Sequence, residues 1–294
     1  MIRLALRVRR ADAELVLAEL LALAPAGCEE RDVDAETVEL ALYGAPGELP
    51  ALPPLQAAVG SALVSVSSSE VREDWAERWR QFHRPVLIRT PPTEAAGAAW
   101  SGRSLYVRPP WEQATGAQAG RIELVIDPGQ AFGTGAHPTT RLALELLLAA
   151  CNQAQKGAAL DIGTGSGVLA IAARALGRAP VLAIDNDPRA LAAAAANAAR
   201  SGVAIELERC DIRSEQLPLP ESREGSLLIL ANLLRPLLLE LVERIELRAA
   251  TLILSGLLDE EADEVAERYA ARLGASLRER SSADGWSALL LTVP

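Results

Sequence analysis

Residues 2–9 place Ile2, Leu4, Leu6 and Val8 on alternate positions, with Arg3, Arg7 and Arg9 between them. That period of two predicts a strand with one buried face. Asp12 follows as a candidate helix N-cap, and Leu15, Leu20 and Leu23 carry an apolar stripe until Pro25-Ala26-Gly27 stops it. Short strands are expected at 27–32 and 37–43, a second helix over 52–59, and a strand over 61–67. A β-α-β-β-α-β order within 70 residues predicts a small N-terminal α+β domain of the ferredoxin-like kind.

Residues 70–126 have a mixed pattern: a helical stretch around 73–79, then short strands at 86–88 and 105–107, punctuated by Pro91-Pro92 and Pro109-Pro110. Trp75, Trp79, Trp100 and Trp111 fall here, which points to packing between domains. From residue 158 strands and helices alternate. Strands are expected at 158–162, 181–185, 203–208, 227–231 and 251–255. Helices are expected at 168–176, 189–201, 236–247 and 259–273, and two closing strands near 275–279 and 287–293. Continuous apolar strands between helices predict an α/β fold with a Rossmann-like parallel sheet covered on both faces. The missing helix between the last two strands predicts an antiparallel hairpin at one edge. The expected domains are therefore 1–69, a connecting region 70–126, and 127–294.

The net charge of −10 argues against a nucleic-acid or anionic-membrane binder. Residues 1–69 hold five arginines and ten acidic residues, half of that net charge, so the small domain suits a basic partner. Cys28, Cys151 and Cys210 lie far apart with no Cys-x-x-Cys pair, which disfavours a disulfide framework or a metal site. The most apolar segment, 227–242, is interrupted by Asn232, Arg235 and Pro236, so no membrane span is expected. Neither is a signal peptide. These features predict a soluble protein of a reducing compartment, the cytoplasm.

The sharpest chemical signal is Asp161-Ile162-Gly163-Thr164-Gly165-Ser166-Gly167, where the first large-domain strand meets a helix. The glycines allow a tight turn and close approach of a ligand. A dinucleotide fingerprint needs its third glycine at 168, where Val168 stands. Asp161 disfavours a pyrophosphate and suits a cationic ligand such as S-adenosylmethionine, which carries an ammonium and a sulfonium but no phosphate. Asp185, 24 residues beyond Asp161, ends the second strand, the place from which an acid binds ribose hydroxyls. Asp211, after the third strand, is placed to approach the adenine amino group. A nicotinamide-dependent oxidoreductase is the alternative from another class, opposed by the glycine spacing; a binding module that has lost catalysis is a third.

These blocks resemble the motifs of class I S-adenosylmethionine-dependent methyltransferases. The segment Ile126-Asp127-Pro128-Gly129-Gln130-Ala131-Phe132-Gly133-Thr134-Gly135-Ala136-His137-Pro138-Thr139-Thr140 is more specific. It resembles the signature loop of the bacterial methyltransferases that modify large-subunit ribosomal protein eleven. Leu230-Ala231-Asn232-Leu233-Leu234 and Leu254-Ser255-Gly256-Leu257-Leu258 are similar to further blocks of that family, and the likeness extends over essentially the whole chain. It implies S-adenosylmethionine as cofactor, with contacts at Thr140, Gly163, Asp185 and Asn232. It also implies a seven-stranded methyltransferase sheet and a small domain that recognises the ribosomal protein. The implied reaction is methylation of lysine side chains, with the N-terminal amine as a further acceptor; another protein's lysines are the runner-up substrate. The chain departs from the family at Ala136, often Thr there, and at Arg235-Pro236, commonly a small-residue turn beside the acceptor entrance.

Within the signature segment, Phe132, Gly133, Thr134 and Gly135 suit a cover that excludes water. Thr140 reads either as a helix N-cap or as a cofactor contact. His137 reads as a general base or as a structural hydrogen-bonding group. Asn232, ending the fourth strand, stands where a methyl acceptor belongs: its amide oxygen can accept an amine N–H and aim the lone pair, without favouring the charged amine as a carboxylate would.

Overall fold

The computed structural model describes residues 2–13, 16–17, 20, 28–44, 60–70, 83–89, 103–113, 120–128, 135–151, 157–220 and 225–294 of the 294-residue chain. The expected helix over 52–59, the helical stretch at 73–79, the cover at 132–134, and Trp75, Trp79 and Trp100 lie outside these residues. Described residues up to Glu70 form one compact unit, and those from His83 onward another.

In the first unit β1 (Ile2–Arg9), β2 (Glu29–Asp32), β3 (Thr37–Gly44) and β4 (Leu63–Glu70) make an antiparallel sheet in the order β2-β3-β1-β4. This is the ferredoxin-like order. Leu4, Leu6 and Val8 of β1 and Val38, Leu40 and Leu42 of β3 turn one face inward onto the helical residues Val16 and Leu20. On the other face Glu39 is buried and answered by both Arg3 (2.7 Å) and Arg7 (2.9 Å), which hold its carboxyl below the usual range. Asp12 ends a 3-10 turn, Arg10–Asp12, and pairs with Arg9 at 2.9 Å; the amides it was expected to cap lie outside the described residues.

The second unit opens with a three-stranded sheet, β5 (Val86–Arg89), β6 (Ser104–Arg108) and β7 (Arg121–Val125), β6 pairing antiparallel with β5 and parallel with β7. Its buried Ile88, Leu105, Val107 and Leu124 join the core of the large sheet. That sheet follows α1 (Pro138–Ala150) and comprises β8 (Ala159–Ile162), β9 (Val181–Asp185), β10 (Glu206–Arg209), β11 (Leu227–Asn232), β12 (Ala250–Leu258), β13 (Ser276–Ala283) and β14 (Trp286–Val293). The helices between them are α2 (Val168–Ala175), α3 (Pro188–Arg200), α4 (Arg235–Arg244) and α5 (Ala262–Leu273).

The seven strands run in the order β10-β9-β8-β11-β12-β14-β13. All neighbours are parallel except β14, which inserts antiparallel between β12 and β13 as the predicted hairpin. Helices cover both faces: Leu160, Ile162, Ile229 and Leu254 pack with α4 and α5, while Ala159, Leu228, Leu230 and Ile253 pack with α1 and α2. Each fully buried Leu or Ile contributes about 1.5–3 kcal/mol. The chain winds from β8 outward to β10, then returns to the other side of β8 with β11. The C-terminal ends of β8 and β11 therefore flank the point where the winding reverses, the crevice in which such sheets bind ligands.

Candidate functional site

Asp161, next to last in β8, and Asn232, last in β11, stand at that crevice. The pairing of Asp161 with Leu230 and of Ile162 with Ala231 carries the chain forward so that Asn232 follows one residue later on the same rim. Asp161 is 1 % exposed. One carboxylate oxygen, Oδ2, accepts from the Thr164 hydroxyl at 2.7 Å and from the Ala170 amide at 3.1 Å. The other, Oδ1, is buried with no hydrogen-bond partner. Burial pushes this carboxyl up from 3.8 to about 7; the Thr164 and Ala170 bonds oppose the shift and the Asp185 charge adds to it. A buried carboxylate oxygen without a donor is costly unless a cation or donor arrives.

The same geometry opposes a nicotinamide dinucleotide. Ala170 lies in the first turn of α2, and its amide is taken by Asp161. The Asp161 carboxyl thus already occupies the helix N-terminus where a pyrophosphate would sit.

Gly163 and Gly167 have φ of +70° and +84°, conformations that side chains rarely adopt. A Cβ at Gly163 would stand 2.5 Å from the Leu233 side chain, and one at Gly167 2.9 Å from Ala194. The loop is pinned from β9: Asp185 accepts the Gly165 amide at 3.0 Å with one oxygen and the Asp187 amide at 3.0 Å with the other. Asp185 therefore shapes the glycine loop and keeps further lone pairs for a ligand. Both oxygens of Asp211 are engaged by Arg213 at 3.1 Å, which holds its carboxyl below the usual range. An adenine contact there competes with this pair. Cys210 is buried and small, as expected of a packing residue.

On the opposite wall, Asn232 donates through Nδ2 to the Thr140 hydroxyl at 3.4 Å, while its Oδ1 is buried without a partner. Gly256 lets the Leu233 backbone pass closely, since a Cβ there would stand 2.4 Å from the Leu233 carbonyl oxygen. Ser255 donates to the Thr139 carbonyl at 2.8 Å, tying β12 to the start of α1. Arg235 is paired with Glu261 (3.2 Å) and Glu264 (2.7 Å) of the α5 region, so this departure from the family pattern is neutralised in place.

Thr140 is not the cap of α1. His137 is: its Nδ1 accepts from the Thr139 amide at 3.3 Å and meets the Thr139 hydroxyl at 2.8 Å. Thr140 sits one residue further, fully buried, free to face Asn232. The His137 ring packs edge-on against Trp286, centroids 5.2 Å apart, which places Trp286 beside this segment. Burial keeps the imidazole below its ordinary 6.5. The cap needs a neutral ring, so its contribution is full above about pH 6.5 and is lost as pH falls below that value. His137→Ala should cost about 1 kcal/mol at pH 8, and the gap to the parent should narrow toward pH 5; urea titrations at both pH values check this.

Sequence reasoning passed over Asn197, which falls within the helix expected at 189–201. It is 1 % exposed and binds Asp127 and Ser166. The signal was available: Ala190, Ala194, Asn197 and Ala198 form the buried stripe of α3, and Asn197 is its polar member. Among the described residues no cluster of His, Cys, Asp and Glu is suited to a metal, and no helix is long and apolar enough to cross a membrane.

A family model described as ribosomal protein L11 methyltransferase (PrmA) matches residues 55–293. The model's match starts at residue 55, so the first 54 residues, which the sequence reading included, lie outside it. A ribosomal protein L11 methyltransferase of Trichlorobacter lovleyi is 39% identical over 227 residues, covering 74% of this chain and 64% of that protein. One of Geobacter sulfurreducens is 38% identical over 221 residues, covering 74% and 66%. The chain thus spans just under two thirds of the length of these curated relatives. The crystal structure of a ribosomal protein L11 methylase from Lactobacillus delbrueckii subsp. bulgaricus superposes with a TM-score of 0.56 at 29% identity, covering 64% of this chain and 94% of that one. Matched by that family model over residues 55–293, the chain belongs to the ribosomal protein L11 methyltransferase family.

Proposed function

We propose that the chain transfers methyl groups from S-adenosylmethionine to amines of a large-subunit ribosomal protein, lysine side chains foremost, in the cytoplasm. The observation that supports this best is the pair of partnerless acceptor oxygens, Asp161 Oδ1 and Asn232 Oδ1, at the two strand ends flanking the crevice. S-adenosylmethionine supplies a methyl group on a cationic sulfur, and the residues present fit it. Asp161 offers a buried acceptor to its ammonium, and Gly163 and Gly165 let it lie against bare backbone. Asp185 retains lone pairs for ribose hydroxyls, and Asp211 is assigned the adenine edge.

Asn232 serves the acceptor. Its amide nitrogen is held by Thr140, which leaves the oxygen to accept an amine N–H and aim the nitrogen lone pair along the line of displacement. A lysine amine has an ordinary pKa of about 10.4, so the site must take the neutral form. A neutral acceptor oxygen in a dehydrated crevice does this better than a carboxylate.

The test is incubation of the chain with labelled S-adenosylmethionine and the purified ribosomal protein. Label transferred to lysines is the expected result, and none transferred overturns the reading. We assign recognition of that protein to the small acidic domain. Removing residues 1–69 should then leave cofactor affinity within about twofold, measured by calorimetry, and abolish methylation. A truncated chain that still methylates the intact ribosomal protein contradicts that assignment.

A further inference from the structure

One side chain of α3 and one at its C-terminal cap hold the chain at residues 125–127. Ser201, just past the helix end, accepts from the Val125 amide at 2.9 Å and donates to the Val125 carbonyl at 3.2 Å. Asn197 repeats the pattern one turn earlier: its Oδ1 accepts from the Asp127 amide at 2.9 Å and its Nδ2 donates to the Asp127 carbonyl at 3.3 Å. The match is geometric. Four residues rise about 6 Å along a helix, and two residues of extended chain span about 6.6 Å. Asn197 and Ser201 thus act as a two-rung ladder for alternate residues at the end of β7 and just beyond it. Arg200 adds a pair with the Asp127 carboxylate at 3.4 Å.

Only the Asn197 rung also reaches the glycine loop. Its Nδ2 donates to the Ser166 carbonyl at 2.9 Å, in a buried contact between residues 31 apart in sequence. Gly167, next to Ser166, lies against Ala194 one turn back on the same helix. One amide side chain therefore fixes the distance between Asp127, in the signature segment, and the loop that begins at Asp161.

We propose that Asn197 is a positioning residue for the cofactor, setting the start of the signature segment against the glycine loop. The inference rests on the reading of the crevice as the S-adenosylmethionine site. Truncating Asn197 leaves the Asp127 amide and carbonyl and the Ser166 carbonyl without their partners, so the two walls lose their common tether. Truncating Ser201 removes the neighbouring rung but leaves the tether to the glycine loop intact.

The experiment compares N197A and S201A with the parent chain, using S-adenosylhomocysteine as the probe in calorimetry and urea unfolding for stability. Both variants should lose stability. N197A should raise the dissociation constant about tenfold, and S201A should change it less than twofold. If N197A does not fold, Asn197→Asp takes its place, keeping the acceptor for the Asp127 amide and losing both donated bonds. An N197A dissociation constant within twofold of the parent's overturns the proposal, and so does an equal shift in S201A, which would make the effect one of general stability. A parent chain that binds no S-adenosylhomocysteine overturns the functional reading, and this inference with it.

Discussion

Asp161→Asn is expected to weaken S-adenosylmethionine binding about 100-fold or more while leaving the ligand-free protein as stable as before, or more so. The replacement is nearly isosteric: an amide oxygen can keep the bonds from the Thr164 hydroxyl and the Ala170 amide. What changes is the second position, where a buried oxygen without a partner becomes an amide nitrogen. Toward a ligand ammonium this exchanges a buried charge-assisted acceptor for a donor, and breaking a buried ion pair costs about 3–5 kcal/mol. Toward the free protein it removes a carboxyl that burial raises to about 7.

The pH dependence follows with a definite sign. Because the folded value lies above the unfolded one, the carboxyl's contribution to stability is full below about pH 4. It is lost as pH rises through about 7. The ligand-free parent should therefore lose stability relative to D161N between pH 5 and 8. A bound ammonium favours the ionised carboxylate, so affinity should rise by up to tenfold per pH unit from pH 5 to 7 and then level. Binding at pH 6 should release a proton, seen by calorimetry in buffers of different ionisation heat. Binding by D161N within threefold of the parent, with no proton released, would remove Asp161 from the site.

The large sheet was legible because β8, β9, β11 and β12 are largely apolar runs, with an acid or amide at or next to the end of the first three, and the helices α2 and α3 follow Gly167 and Asp187. The rim positions of Asp161, Asp185 and Asn232 follow from that pattern, since a strand's last residue is where a side chain can leave the sheet. What periodicity does not carry is which partner each side chain finds. Asp211 was placed by its strand end, but the next turn supplies Arg213, whose guanidinium engages both oxygens. Periodicity left Thr140 open between cap and cofactor contact and His137 between general base and structural hydrogen bond, and the cap falls to His137. A cap depends on which side chain meets the first free amides, and His137 reaches Thr139 because Pro138 fixes the turn between them. Asn197 was hidden for a similar reason: its partners lie 31 and 70 residues away in sequence. The three-stranded sheet of β5, β6 and β7 was seen only as fragments, because its strands are short and separated by long proline-rich stretches.

Asn232→Ala should lower kcat about 100-fold while shifting the unfolding free energy by less than about 1 kcal/mol. The stability term is small because the side chain's one bond, to Thr140, is long at 3.4 Å and its oxygen has no partner to lose. The turnover term is large because alignment of an amine against the methyl carbon depends on that oxygen, and loss of one preorganised polar contact at a reacting centre costs about 100- to 1000-fold. Asn232→Asp separates alignment from charge. It keeps an oxygen in the same place but stabilises the protonated acceptor, so activity should be depressed near pH 7 and recover as pH rises, with the kcat/KM profile displaced upward by about one unit. Loss of turnover and stability in equal proportion in the alanine variant, with no displaced profile in the aspartate variant, would return Asn232 to the part of a strand-end turn. A displaced profile with near-normal stability is the signature of an acceptor-facing amide, because a turn residue has no route to the protonation state of a bound amine.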